Sequence, residues 1–460
     1  RFQQWIVLNL HLYFQIMNNT QKPIPKVRKQ LSADALFGVV RKSFKSIKDP
    51  DEAQNDIPLA DVLMSGFAMF SLKDPSLLQF EERRVSEEHN LKSIYKMEKI
   101  PCDTQMRTRL DKVNPACLRP AYADVFKKLQ RGKALEAMVY MKEGYLICLD
   151  GTGTFSSDKL HCPFCMEKKG KKGKTISYLQ MLGAVIVHPE KKEVIALAPE
   201  PIRKQDGETK NDCERNATRR WLEKFRKDHP HLRVIIVEDG LSPNGPHIRD
   251  LIEHRCHFIL TCKQDDHTYL FNQLDIARKE GRSVEHTLVD PTDQQIRHRF
   301  CFTNGVPLNE SNQDILVNVL EYWETKGDKT RYFCWVTDLL ITQSNAYRLM
   351  RAGRSRWKVE NETFNTLKNQ GYRLEHNYGL GKKNLSMVFV SLMMLAFLVD
   401  QTQQLSCLLF RAAWEKYGSK KALWENIRSI FRWFAVESME MLYRVIITRH
   451  SYPVAIDDSS

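Results

Sequence analysis

The chain has 460 residues, 42% hydrophobic and 27% charged, which excludes intrinsic disorder and leaves room for roughly three domains of about 150 residues. Lys and Arg number 70 against 56 Asp and Glu, and the resulting charge of +14 points to a polyanionic partner, nucleic acid first. Eleven scattered cysteines, an odd number, exclude a disulfide scaffold and suit a reducing, cytoplasmic setting.

In chain order, Trp5 to Met17 is apolar but broken by Asn9 and His11, without the basic start or cleavage site of a signal peptide. Met17, ahead of a polar run, reads as an initiator. From Ser32 to Arg131 the chain reads as helical and basic. Ala33 to Ile47 and Leu59 to Phe80 repeat apolar residues every three or four positions. Ile100-Pro101 and Asn114-Pro115 then break the pattern. The boundaries expected are 1–131 for this helical region, 132–255 and 345–400 for a split α/β core, 256–344 for a β-rich insertion and 401–460 for closing helices.

The core opens with Tyr145 to Asp150, a short apolar run ending in a carboxylate, the pattern of a buried strand. Ile176 to His188 and Glu193 to Leu197 read as two more strands, and Asn211 to Lys227 as an amphipathic helix. Val234 to Asp239 repeats the strand-then-acid pattern. The insertion reads as strands at His257 to Thr261, Val284 to Val289, Ile296 to Phe302, Leu316 to Tyr322 and Tyr332 to Ile341. Helices are predicted at Asn345 to Met350, Trp357 to Gln370, Asn384 to Tyr417 and Lys420 to Thr448. The apolar stretch Ser386 to Val399 falls short of the roughly 20 residues a bilayer span needs, so it reads as a core helix and no membrane is expected.

Asp150 and Asp239 most clearly end apolar strands, and glycines 151 and 240 behind them allow close backbone approach. Acids on neighbouring strand ends suit Mg²⁺, which takes oxygen ligands and keeps waters. In the segment Arg354 to Lys368, a regular helix would set Arg356 and Glu360 one turn apart on one face, with Trp357, Phe364 and Leu367 on another. Cys162 and Cys165 have the spacing of half a zinc site, which His188 or the His254, Cys256 and His257 cluster would have to complete, against the reading of two plain thiols in a hairpin. Lys168, Lys169, Lys171 and Lys172 make a basic loop suited to phosphate. Trp323 and Trp335 are aromatic candidates for stacking a flipped base, against a core role.

LDGTG at 149–153, VEDGL at 237–241 and RWKVEN with a following Phe and Leu-Lys at 356–368 resemble the DDE transposases of bacterial insertion sequences, in the branch with a β-strand insertion before the glutamate. The resemblance covers about Leu146 to Gln370. It implies an RNase H-like α/β core and places Asp150, Asp239 and Glu360 as ligands of two Mg²⁺ or Mn²⁺ ions, with Arg356 and Lys368 touching DNA near the scissile phosphate. It further implies double-stranded DNA as partner, the helical N-terminal region on the terminal repeats, a homodimer in synapsis, and a bacterial, nucleoid-associated enzyme. The rivals are a nuclease of the same fold without strand transfer and an inactive, DNA-binding descendant. This chain departs from the family pattern twice: the tyrosine usual three residues before the arginine is Gly353, and the lysine usual seven residues after the glutamate lies eight after it, at 368. Glu362 is the alternative third acid.

Overall fold

The computed structural model describes residues 30–49, 56–142, 144–170, 173–204, 210–240 and 243–448. The expectations for Trp5 to Met17 and for Lys171 and Lys172 lie outside the described residues.

The fold is mixed α/β with an RNase H-like core. Its strands are β1 (Tyr145–Ser157), β2 (Met166–Lys169), β3 (Thr175–Val187), β4 (Ile195–Ala196), β5 (Glu200–Ile202), β6 (Val234–Glu238), β7 (His257–Thr261), β8 (Val284–Val289), β9 (Ile296–Asn309), β10 (Asn312–Lys326) and β11 (Lys329–Thr337). They form one sheet in the order β2-β3-β1-β6-β7-β11-β10-β9-β8, with β4 and β5 beside β3. β1, β6 and β7 run parallel while β3 is antiparallel to β1. Leu146 to Leu149 and Val234 to Val237 are buried throughout, because both faces of this parallel centre are covered. The strands beyond β7 are antiparallel, and β11 joins them edge to edge with β7. The segment 256–344 is thus not wholly strand: β7 belongs to the parallel centre, and Thr268–Lys279 is a helix that packs on β9. Leu270, Phe271, Leu274 and Ala277 give that helix its buried face, a pattern masked in the sequence by the strands around it.

Helix Leu385–Ser406 is the pillar of the molecule. It is long and apolar enough to cross a bilayer, yet it lies inside the protein. Helix Leu59–Ser71 packs along it, and the Tyr122 hydroxyl donates to the Ser391 carbonyl. Asp111 holds its start: the backbone N–H groups of Lys382, Lys383, Asn384 and Leu385 all donate to this one carboxylate. Burial pushes the Asp111 carboxyl up, but these four donors outweigh it and hold it below the usual carboxylate range.

Three predicted helices are each two. Leu59–Ser71 stops before Leu77–Ser86 because Lys73 turns left-handed and Pro75 cannot continue a helix. Leu385–Ser406 ends at an extended Cys407, whose sulfur accepts from Phe410 N–H to start Leu408–Tyr417. Between Lys420–Trp433 and Met439–Thr448, Asn90 donates to the Phe431 and Phe434 carbonyls and accepts from Val436 N–H. Asp34 then accepts from the Met439 and Glu440 N–H groups. The last two breaks rest on partners distant in sequence or on the cysteine sulfur, which helical periodicity does not reveal.

His229 packs against Phe126 and Phe225, with ring centroids at 4.5 and 5.3 Å. Burial pushes its pKa down to about 4. An unfolded His takes a proton near pH 6.5 while the folded one stays neutral, so stability is expected to fall as pH drops from 6.5 towards 4, by at most about 3 kcal/mol. Urea unfolding at pH 7 and pH 5 checks this, and His229→Phe should flatten the decline.

Candidate active site

Two adjacent parallel strands set the first two acids. β1 and β6 pair with Tyr145 opposite Val234 and Cys148 opposite Val237. The same offset, carried two residues on, brings Asp150 beside Asp239, on strands spaced about 4.8 Å apart. Asp150 is not the last residue of its strand as the sequence suggests, since β1 continues to Ser157 and Asp150 stays paired with Gly183 of β3. Asp239 directly follows β6.

Both acids line a cavity of about 410 Å³ together with Asp212, Glu214, Glu238, Arg215 and His247. Burial pushes the Asp150 carboxyl up to about 6; Arg356 opposes this, while Glu360 and Asp239 add to it. Glu214 opens helix Glu214–Asp228 and is raised to about 7, by burial first and then by Asp150, Asp239 and Glu238. The buried Glu238 meets His247 Nε2 at 2.5 Å; burial alone would lower the His247 pKa, but this carboxylate holds it above the usual value. Glu214 was missed in the sequence, where an acid at the start of an amphipathic helix reads only as a complement to the helix dipole.

Gly151 matters for close approach: a Cβ there would sit 2.2 Å from a Glu214 carboxylate oxygen. Gly183 matters likewise, because the Phe364 ring occupies the space its Cβ would take, at 2.7 Å. At Gly240 a Cβ would meet only the Lys263 side chain at 3.4 Å, an ordinary contact.

The third acid sits differently from the sequence expectation. Helix Ala346–Arg354 ends, Ser355 and Arg356 turn, and Val359–Phe364 forms a π-helix before a last α-turn at Asn365–Asn369. Arg356 and Glu360 therefore do not share one regular helix. The Arg356 guanidinium instead lies 3.4 Å from Asp150 Oδ2 and 5.2 Å from the centre of the Trp357 ring. Glu360 does not line the cavity, yet its charge bears on Asp150. The charge of Glu362 bears on Lys358 and Lys420. Among the described residues, no three His, Cys, Asp or Glu side chains converge closely enough to hold a metal ion.

Lys368 stands apart from Asp150, paired with Glu375 at 2.9 Å on the wall of a separate basic cleft. Lys168 and Lys169 close β2, with Lys168 Nζ 5.0 Å from the centre of the Tyr178 ring. The Cys162 and Cys165 sulfurs lie 3.2 Å apart. A hydrogen bond from Cys165 lowers Cys162 to about 6. None of the expected zinc partners joins them: His188 meets the Tyr140 ring edge-on, His254 meets the Asp250 carbonyl, Cys256 faces Arg226, and His257 pairs with Asp338. Trp335 is a core residue, and its indole fills the space above Gly353, where a Cβ would come within 2.5 Å. A tyrosine at 353 has no room while that indole is there. Trp323 is half-buried with the Arg299 guanidinium 4.6 Å over its ring.

A family model described as "Transposase DDE domain" matches residues 146–398, more than half of the chain. No curated protein matches the chain significantly.

Proposed function

Because the chain belongs to the DDE transposase family, we propose that it is the transposase of an insertion sequence, cutting DNA at the insertion-sequence ends and joining the freed 3′-hydroxyl to target DNA. The observation that carries this is the parallel register of β1 and β6, which sets Asp150 beside Asp239 in an acid-lined cavity. Asp150, Asp239 and Glu360 would hold two Mg²⁺ or Mn²⁺ ions, and their all-oxygen donor set fits a hard divalent cation. When bound, such ions supply an activated water and neutralise charge on the transferring phosphoryl group. In the first step a water oxygen attacks phosphorus and the 3′ oxygen leaves as a hydroxyl. In the second that hydroxyl attacks the phosphorus of a target phosphodiester and the target strand's own 3′ oxygen leaves as a hydroxyl, so no covalent protein–DNA link is needed.

The protein's own part is positioning. Arg356 presents a rigid fork suited to two phosphate oxygens. Lys168, Lys169, Lys171 and Lys172 would meet the DNA backbone, and residues 1–131 the terminal repeats. Residues 132–255 and 345–400 would act as the catalytic core, 256–344 as its insertion and 401–460 as the closing helices, in a homodimer that pairs the two ends. Cys162 and Cys165 would bind zinc only with ligands beyond those the described residues bring near.

The test uses the DNA flanking the coding region. Cleavage of a supercoiled plasmid carrying it should require Mg²⁺ and stop with EDTA, and a precut end should join target DNA. Cleavage without joining would make the chain a plain nuclease; binding without cleavage, a DNA-binding protein only.

Arg356→Lys keeps the charge and loses the fork, so cleavage of a labelled end in single turnover should fall at least about tenfold, some 1.4 kcal/mol. DNA binding should barely change. If Arg356 serves only as the counter-charge 3.4 Å from Asp150, Lys keeps that charge and the rate should hold, so an unchanged rate would remove the phosphate-clamping role from Arg356.

A further inference from the structure

Away from the acid-lined cavity, a cleft of about 510 Å³ opens between the end of the Glu360 segment and helices Leu77–Ser86 and Lys420–Trp433. Its cations differ in how they are matched. Lys73 is paired with Asp400, Arg83 with Asp74 and Glu87, and Lys368 with Glu375. Arg373, Lys421 and Arg428 have no ion-pair partner among the described residues, and Glu425 is the acid that shares the cleft with them. Arg428 is half-buried and spends one N–H on the Leu72 carbonyl. Burial works most against its charge, with Arg83 and Arg373 adding to this and Asp74 and Glu425 opposing it, and the net effect lowers its pKa. Arg373 is held in the left-handed region at φ 56°, a conformation that costs a non-glycine residue and persists where the surroundings impose it. Trp433 stands 74% exposed on the same wall.

Crowded, unmatched cations around a concave wall with an exposed indole fit a polyanion that carries flat groups, which is nucleic acid. The position adds a direction. The Phe364 ring covers Gly183, the register partner of Asp150, and four residues further on the chain enters the cleft at Lys368. At about 1.5 Å per helical residue, those four residues advance roughly 6 Å along the segment, so the cleft opens at the far end of the element that covers the partner of Asp150. The acid-lined cavity repels a phosphate backbone, so a strand reaching it needs cations close by.

We propose that this cleft binds the backbone of the DNA strand next to the cleavage point, with Arg373, Lys421 and Arg428 on phosphates and Trp433 against a sugar or base. The inference rests on the DNA-processing reading above and adds the surface that grips the DNA.

The test measures affinity for a random-sequence DNA duplex, without divalent metal, across a salt series. Arg373→Gln/Lys421→Gln removes two exposed side chains and should not disturb the fold, which a thermal melt checks. The slope of log affinity against log salt should become shallower by about 0.9 per lost phosphate contact, and affinity at moderate salt should drop at least about tenfold. Lys227→Gln/Lys279→Gln, a like charge loss on exposed helix positions elsewhere, should cost clearly less. Equal loss in both doubles, or an unchanged slope in the first, overturns the cleft and leaves the transposase reading intact. Failure of the unaltered protein to bind DNA at all would overturn both.

Discussion

Asp150→Asn, Asp239→Asn and Glu360→Gln are each expected to lower DNA cleavage by at least about a thousandfold, some 4 kcal/mol of barrier, while DNA binding stays within a few-fold. On the roles proposed above, each change removes the charge of a ligand oxygen at nearly constant shape. For Asp150 the fold should not suffer, because burial already penalises its charged form. The main partner lost is Arg356, which would be left facing an amide. Glu362→Gln should remain near full activity, since the charge of Glu362 bears on Lys358 and Lys420, whereas that of Glu360 bears on Asp150. Single-turnover cleavage at saturating protein, with a thermal melt for each variant, reads the outcome. Full activity in any of the three removes that residue from the site. Loss in Glu214→Gln without loss in Glu360→Gln would move the third ligand to the start of helix Glu214–Asp228.

The largest effect on stability is expected at Asp400. This buried carboxylate accepts from Lys73 Nζ at 2.5 Å and from the Tyr372 hydroxyl, tying the end of helix Leu59–Ser71 to helix Leu385–Ser406. Lys73 is fully enclosed, between the rings of Tyr372 at 4.0 Å and Trp424 at 4.1 Å. Burial pushes its pKa down to about 8, with Asp400 opposing. Asp400→Asn leaves that ammonium without its counter-charge, a change that costs about 3–5 kcal/mol when one partner of a buried pair is removed. Urea unfolding at pH 7 should show it as a lower midpoint with an unchanged slope. Lys73→Met/Asp400→Leu, which removes both charges, should recover most of the loss. A double variant no more stable than the single would mean that packing, not charge, sets the cost.

The parts legible in the sequence are those written in local patterns. The buried parallel strands announce themselves as apolar runs, β7 with the bounds expected, and the exposed antiparallel edge strand β8 also keeps its expected bounds. The acids Asp150 and Asp239 are found because each follows such a run. What stays hidden depends on contacts between distant residues. Asn90 and Asp34 end and restart the closing helices from more than three hundred positions away. Glu214 joins the acids only because the sheet brings its helix start against Gly151. Arg356 turns to Asp150 because the segment after it is not a regular α-helix, which spacing alone cannot report. The family resemblance supplied Glu360, where spacing alone favours an ordinary surface helix.

That irregular segment also alters how distance along the chain should be counted. A π-turn closes its hydrogen bond over one more residue than an α-turn, so Val359–Phe364 takes up an extra amino acid without lengthening the path in proportion. The eight positions from Glu360 to Lys368 then span about what seven would in an uninterrupted α-helix. The surplus residue is stored as a bulge, so Phe364 and Leu367 still face the core. Ruler-like motifs, counted in residues, read one too many here although the scaffold beneath has kept its phase.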